Sequence, residues 1–162
     1  MTFDCYSALR RCPIPVVSAI QGRCAGFGAA LAALSDVSFA AASATFSIPE
    51  MAHNIMPTMV MSALFDRMNR NAILHMAYST EAISAEDAMK YGLVSRVVSD
   101  GEMMGAAEGI CERIARYPKA AAMGLKEYLR HAPSVHEHAA IDYARSLHAM
   151  VNTSSEMNSN RK

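Results

Sequence analysis

"GRCAGFGAALAALSD" (22–36) places three glycines within seven residues and then runs into an alanine-rich stretch closed by Ser35-Asp36. Upstream, "IPVVSAIQG" (14–22) is a β-branched apolar run that predicts a buried strand ending at Gly22. Downstream, "GAALAALS" (28–35) has the composition of a buried helix whose small side chains permit close packing. Glycines between a strand and a helix bare backbone N–H groups at a helix N-terminus, where hydrogen bonds and the helix dipole both favour a negative oxygen. A tight strand-to-helix turn with close packing accounts for the same glycines. Neither a G-x-G-x-x-G fingerprint nor a G-K-[ST] P-loop is present, which sets dinucleotide and nucleotide-phosphate binding far down the order.

The rest of the chain bounds the problem. With 162 residues, 52% hydrophobic and 19% charged, it predicts a soluble globular protein large enough for its own core. Formal net charge is zero, so neither nucleic acid nor an anionic membrane is an expected partner. No apolar run approaches the roughly 20 residues of a membrane span, and "MTFDCYSALRRCPIP" lacks the basic start followed by an apolar stretch expected of a secretory signal. The four cysteines, Cys5, Cys12, Cys24 and Cys111, form no C-x-x-C pair. Free thiols in a cytoplasmic setting, and no zinc site, are expected.

"FDCYSALRRC" predicts a helix stopped by Pro13 and Pro15, and "DVSFAAASATFSIPE" (36–50) two short extended segments with a turn near 41–43. Helices follow over 57–68 and 71–79. "SAEDAMKYG" (84–92) carries a serine cap, Asp87 three residues on, and a closing glycine. "LVSRVVS" (93–99) returns to extended structure, and from Gly101 the pattern is helical, with Pro118 ending one helix and Ser134 opening the last. The tail from Asn152 has too little apolar content to be firmly held. The character changes near residue 99, which divides the chain into 1–98 and 99–162.

Glu50, in "FSIPE", follows an apolar strand and a proline; it suits a general base at a pocket mouth, or equally a surface or capping residue. His53, three residues on, is able to approach it or stands by. His136 and His138 would point about 200° apart on a helix and so share no metal. Met51 and Met56 belong to a methionine-rich stretch that fits either an ordinary core or a pocket for an apolar tail.

Taken in order, "PIPVVSAIQGRCAGFGAALAALSDVSFAAASATFSIPE" and "ISAEDAMKYGLVSRVV" resemble the crotonase superfamily of enoyl-CoA hydratases and isomerases. The strand, glycine cluster, F-x-x-P-E and I-S-A-x-x-A-x-x-x-G-L-V segments occur in the family's order with matching gaps. The resemblance implies an α/β fold: part of a spiral of β–β–α turns over 1–98, then an all-helical region over 99–162. Those terminal helices would pack between subunits of a trimer or dimer of trimers. It further implies an acyl-CoA thioester substrate, with coenzyme A as part of the substrate and no separate cofactor or metal.

By position, the backbone N–H of Phe27, between Gly26 and Gly28, would brace the thioester oxygen as an enolate forms, and Glu50 would move the proton. The flanking Ile48, Met51 and Met56 would supply the apolar surrounding such a base needs to hold a proton, and His53 would line the site. Two departures matter. Ala30 stands where the family's hydratases carry their first glutamate, which removes a general acid/base contribution of about 10²–10⁴ in rate. Only eleven residues precede the segment that begins near Cys12, so the family's second oxyanion donor and much of its coenzyme A cradle have no counterpart in these residues. A double-bond shift by one glutamate is therefore expected first. A hydratase, decarboxylase or thioester hydrolase, with its acid supplied by His53 or by an upstream region, comes second. A catalytically silent subunit that keeps the fold is the reading outside enzymology.

Overall fold

Helix α1 (Thr2–Arg11) ends ahead of Pro13 and Pro15, and the apolar run behind it holds a strand that stops before Gly22, both as expected. In the computed structural model, which describes residues 2–159, Gly22 turns the chain at φ 70°. The run supplies β1 (Val17–Ile20), and the glycine-rich stretch after the turn adds an unexpected strand, β2 (Arg23–Ala25), in a different sheet. Three residues are too few to show a hydrophobic period, so the sequence carries no signal of β2.

The pattern then repeats. After α2 (Phe27–Leu34), β3 (Val37–Ala41) pairs parallel with β1, and β4 (Thr45–Ser47) pairs parallel with β2. Parallel neighbours need a crossover, and each turn of chain supplies one strand to each sheet. β5 (Ile83–Ser84), unanticipated from the sequence, adds antiparallel to β4, and β6 (Arg96–Val98) adds parallel to β3. The sheets are thus β1-β3-β6 and β2-β4-β5, the partial α/β spiral expected. Asp36 at the end of the motif has a structural duty: its carboxylate accepts from the Val16 N–H at 2.7 Å, and its own N–H donates to the Val16 carbonyl at 2.9 Å.

Small side chains set the core. Ala29, Ala30, Ala32, Ala33 and Leu34 of α2 are buried, and α2 packs on α3 (Thr58–Leu64). Phe46, Ile48, Leu64, Met76 and Leu93 are fully enclosed, each contributing about 1.5–3 kcal/mol relative to exposure. The Asn69 side chain caps α4 (Arg70–Ser79), accepting from the Ala72 N–H at 2.8 Å. Ser84 caps α5 (Ala85–Lys90): its hydroxyl accepts from the Asp87 N–H at 3.1 Å and donates to the Asp87 carboxylate at 3.0 Å.

By internal packing the chain forms two units, one of residues up to Arg11 with Val16–Gly109, the other of Cys12–Pro15 with the residues from Ile110. α6 (Met103–Arg116) precedes α7 (Lys119–His131), α8 (Glu137–Asn152) and α9 (Ser155–Ser159). α7 and α8 join through stacked Tyr128 and Tyr143, with ring centroids 5.9 Å apart, yet no residue of either helix is fully buried. The tail expected to be loose is partly held, since Glu156 of α9 accepts from the Ala120 N–H at 2.9 Å; its residues 160–162 lie outside those described.

His136 and His138 do not diverge as helical spacing leads one to expect. His136 precedes α8 in extended backbone, with φ −63° and ψ 149°, and the two rings stack at 5.6 Å. Among the described residues no helix is long and apolar enough to cross a membrane.

Helix α1 is clamped to the turn after α3. Arg10 donates to both Asp66 carboxylate oxygens, at 2.7 and 3.0 Å, and to the Ser62 carbonyl at 3.0 Å, while its guanidinium lies 5.7 Å from the centre of the Phe65 ring. Partial burial tends to raise the Asp66 carboxyl, but the Arg10 hydrogen bond and charge, helped by Arg67 and the residue's own backbone, bring it below the ordinary carboxylate range. The clamp is partly solvated, so Arg10→Met should lower stability by only about 1 kcal/mol at neutral pH, measured by urea unfolding. A depressed carboxyl stabilises above its unfolded pKa and loses that contribution as pH falls through the folded one. The gap between wild type and variant should therefore close as Asp66 is protonated.

Candidate active site

The parallel register of β2 and β4 builds the site. Ala25 stands opposite Ser47, so the residues leaving the two strands emerge side by side. Gly26 follows β2 directly, and its N–H donates to the Ser47 carbonyl at 3.0 Å. That amide is spent on the fold. At φ 52° and ψ −113°, Gly26 then redirects the chain into α2. Intrahelical bonding begins with the Ala30 N–H, 3.1 Å from the Gly26 carbonyl, which leaves the preceding amides, Phe27 first, without an intrahelical acceptor.

On the other strand, fully buried Ile48 anchors the exit of β4, and Pro49 leads into a 3₁₀ turn, Glu50–His53. The Ile55 N–H donates to the Glu50 carbonyl at 3.0 Å and holds the turn closed. The Glu50 carboxylate is carried back over Gly26. A Cβ placed on Gly26 would lie 2.6 Å from Glu50 Oε1, a distance no real Cβ tolerates. Oε2 of the same carboxylate is buried without a hydrogen-bond partner among the described residues. A buried polar oxygen left unpaired costs free energy that a hydrogen-bond partner would recover.

These groups open on a cleft of about 240 Å³. Phe27, Glu50 and Tyr6 face it, and Ile55, Met56, Met59 and Val60 give it an apolar wall. The volume lies below the usual range for whole small-molecule sites, which suits one apolar segment of a larger ligand. The Phe27 side chain finds its room by stacking on Tyr6, with centroids 5.7 Å apart and planes at 18°.

Of the residues expected to form the site, Gly26, Phe27, Glu50 and Met56 are brought together here. Gly28 lies in the first turn of α2, above Cys24, whose thiol burial pushes up to about 11 and keeps protonated. Ala30 is fully enclosed, and Met51 and His53 are exposed on the 3₁₀ turn; none of the three is on the cleft wall. The apolar surrounding of Glu50 therefore comes from Met56 and from α3 and its approach, while Ile48 serves the core and Met51 faces solvent. Tyr6 carries no motif and gave no signal in the sequence beyond a place in a helix.

The two glycines flanking Phe27 are not equivalent. Gly26 is held at positive φ and in contact with the carboxylate, whereas a Cβ on Gly28 would meet only Cys24 Sγ at an ordinary 3.5 Å. Gly26→Ala should cost about 1–2 kcal/mol in urea unfolding through backbone strain, before any displacement of Glu50. Gly28→Ala should be neutral or stabilising by up to about 1 kcal/mol, since it adds a helix former at no steric expense.

Residues 1–161 match the family described as enoyl-CoA hydratase/isomerase. A curated relative, carnitinyl-CoA dehydratase of Salmonella paratyphi A, is 30% identical over 133 residues, covering 82% of this chain and 51% of the relative. The chain thus spans about half the length of the curated relatives it matches. Among solved structures, an enoyl-CoA hydratase from Mycobacterium smegmatis superposes with TM-score 0.92 at 25% identity, over 96% of this chain and 61% of that one. A Thermobifida fusca protein described as a putative enoyl-CoA hydratase, solved in complex with CoA, gives 0.83 at 25% identity, over 90% and 57%. For the fold alone, human enoyl coenzyme A hydratase domain-containing protein 3 gives 0.93 at 21% identity, over 97% and 62%. The chain belongs to the enoyl-CoA hydratase/isomerase family.

Proposed function

We propose that the chain binds an acyl group carried as a coenzyme A thioester and shifts a double bond through an enolate, with Glu50 as the single base. The observation that carries this reading is the Glu50 carboxylate lying on Gly26, one oxygen buried and unpaired, beside the free head of α2. Glu50 takes a proton from the carbon next to the thioester carbonyl, and the electron pair moves onto the carbonyl oxygen. The Phe27 N–H braces that charge; one preorganised donor of this kind is worth roughly 3–4 kcal/mol. The proton returns to the fourth carbon of the acyl chain, and the double bond moves from the third–fourth to the second–third carbons. One carboxylate suffices because the proton it removes is the proton it delivers. Coenzyme A enters as part of the substrate, and no metal or further cofactor takes part.

A hydration or dehydration is the second reading, favoured by the name of the carnitinyl-CoA dehydratase relative. Residues 99–162 are assigned to oligomerisation, as a trimer or dimer of trimers; Leu125, Leu129 and Met150 there expose apolar side chains that a second subunit would cover. A cytoplasmic setting, without nucleic acid or membrane as partner, completes the proposal.

Glu50→Gln keeps the shape and removes the base. It should reduce isomerisation of a 3-enoyl-CoA by about 10²–10⁴-fold while leaving thioester affinity within about threefold. An unchanged rate overturns the base assignment. Wild-type conversion of a 2-enoyl-CoA to its 3-hydroxy product, without isomerisation, would select the second reading. Tight binding without turnover of any thioester would mark a silent subunit.

A further inference from the structure

Phe27 meets the cleft twice. Its backbone N–H stands at the head of α2 without an intrahelical acceptor, and its side chain forms part of the cleft wall. The core does not require that side chain. Helix α2 buries alanines and Leu34, whereas Phe27 remains 46% exposed. Alanine, which the helix uses at four other positions, is also the better helix former.

The ring is nevertheless held in one place. It lies on Tyr6, with centroids 5.7 Å apart and planes at 18°. Tyr6 in turn is 4% exposed and met edge-on by Phe3, and its helix is fixed by the Arg10–Asp66 ion pair. A ring backed by a buried ring moves aside only by giving up that stack. Ile55, Met56, Met59 and Val60 line the same cleft, and the space left is about 240 Å³, small for a ligand site. These neighbours differ in stiffness. The methionines are flexible and yield to a ligand, so the stacked aromatic pair is the firm boundary.

We propose that the Phe27 side chain, backed by Tyr6, determines acyl-chain length by confining the cleft to short acyl groups. The inference rests on the acyl-thioester reading, in which the Phe27 N–H braces the thioester carbonyl. One residue then fixes both where the acyl chain begins and how much room follows it.

Isothermal titration of the full chain with butanoyl-, hexanoyl-, octanoyl- and decanoyl-CoA tests it. A methylene group that finds an apolar place tightens binding about fourfold, so an unrestricted cleft gains at every step. Wild-type affinity should instead level off or fall beyond hexanoyl-CoA. Phe27→Ala keeps the N–H and removes the ring. Its ratio of decanoyl-CoA to butanoyl-CoA affinity should exceed the wild-type ratio by about tenfold or more. Phe27→Leu should fall between the two, with urea unfolding confirming that both variants keep the fold. A wild type whose affinity climbs evenly to decanoyl-CoA overturns the proposal without recourse to a variant, as does a ratio unchanged in both variants. Binding of none of the four thioesters overturns the acyl-thioester reading itself, which separates the two failures.

Discussion

The contact between a carboxylate oxygen and a bare Cα organises this molecule. Because β2 and β4 run parallel in register, the residues after each strand leave on the same side, and Glu50 is delivered onto Gly26. Any side chain at Gly26 would push the carboxylate away, and any other residue would resist the positive φ that aims α2 at the cleft. The glycine therefore serves two demands at once, a backbone turn and a close approach. The Gly26 amide is consumed by the sheet, which passes the role of first free donor to Phe27.

Around that contact the fold arranges opposite characters. The apolar wall from Ile55 to Val60 stands beside a carboxylate whose second oxygen is buried without a hydrogen-bond partner among the described residues. Helix α1 closes the other side, and its place depends on a partly solvated bidentate ion pair as well as on packing. Tyr6 reaches the cleft only because that helix is docked. Thus a surface interaction of modest energy controls the position of a buried polar group.

Much of the fold was legible from local chemistry. The Ser84–Asp87 cap, the prolines after α1 and the alternation over 36–50 predict α5, the end of α1 and the β3–β4 pair because each depends on neighbouring residues alone. Strands β2 and β5 have no such local signature, since a three-residue or two-residue strand has no period to detect and exists through its partner across the sheet. His136 and His138 show the same limit: their relative direction depended on where α8 begins, which sequence spacing does not fix.

At the site, the order of motifs was enough to nominate Glu50 and the Phe27 amide, and Ala30 at once removed a second carboxylate from consideration. The sequence alone determined which chemical groups are available, because residue types and their spacing are local facts. The tertiary structure decided which of them meet. It set Gly26 apart from Gly28, turned Met51 and His53 to solvent, and brought Tyr6 from a helix 44 positions upstream to the side of Glu50. Those outcomes depend on strand register and helix docking, and long-range geometry leaves no trace in the spacing of neighbouring residues.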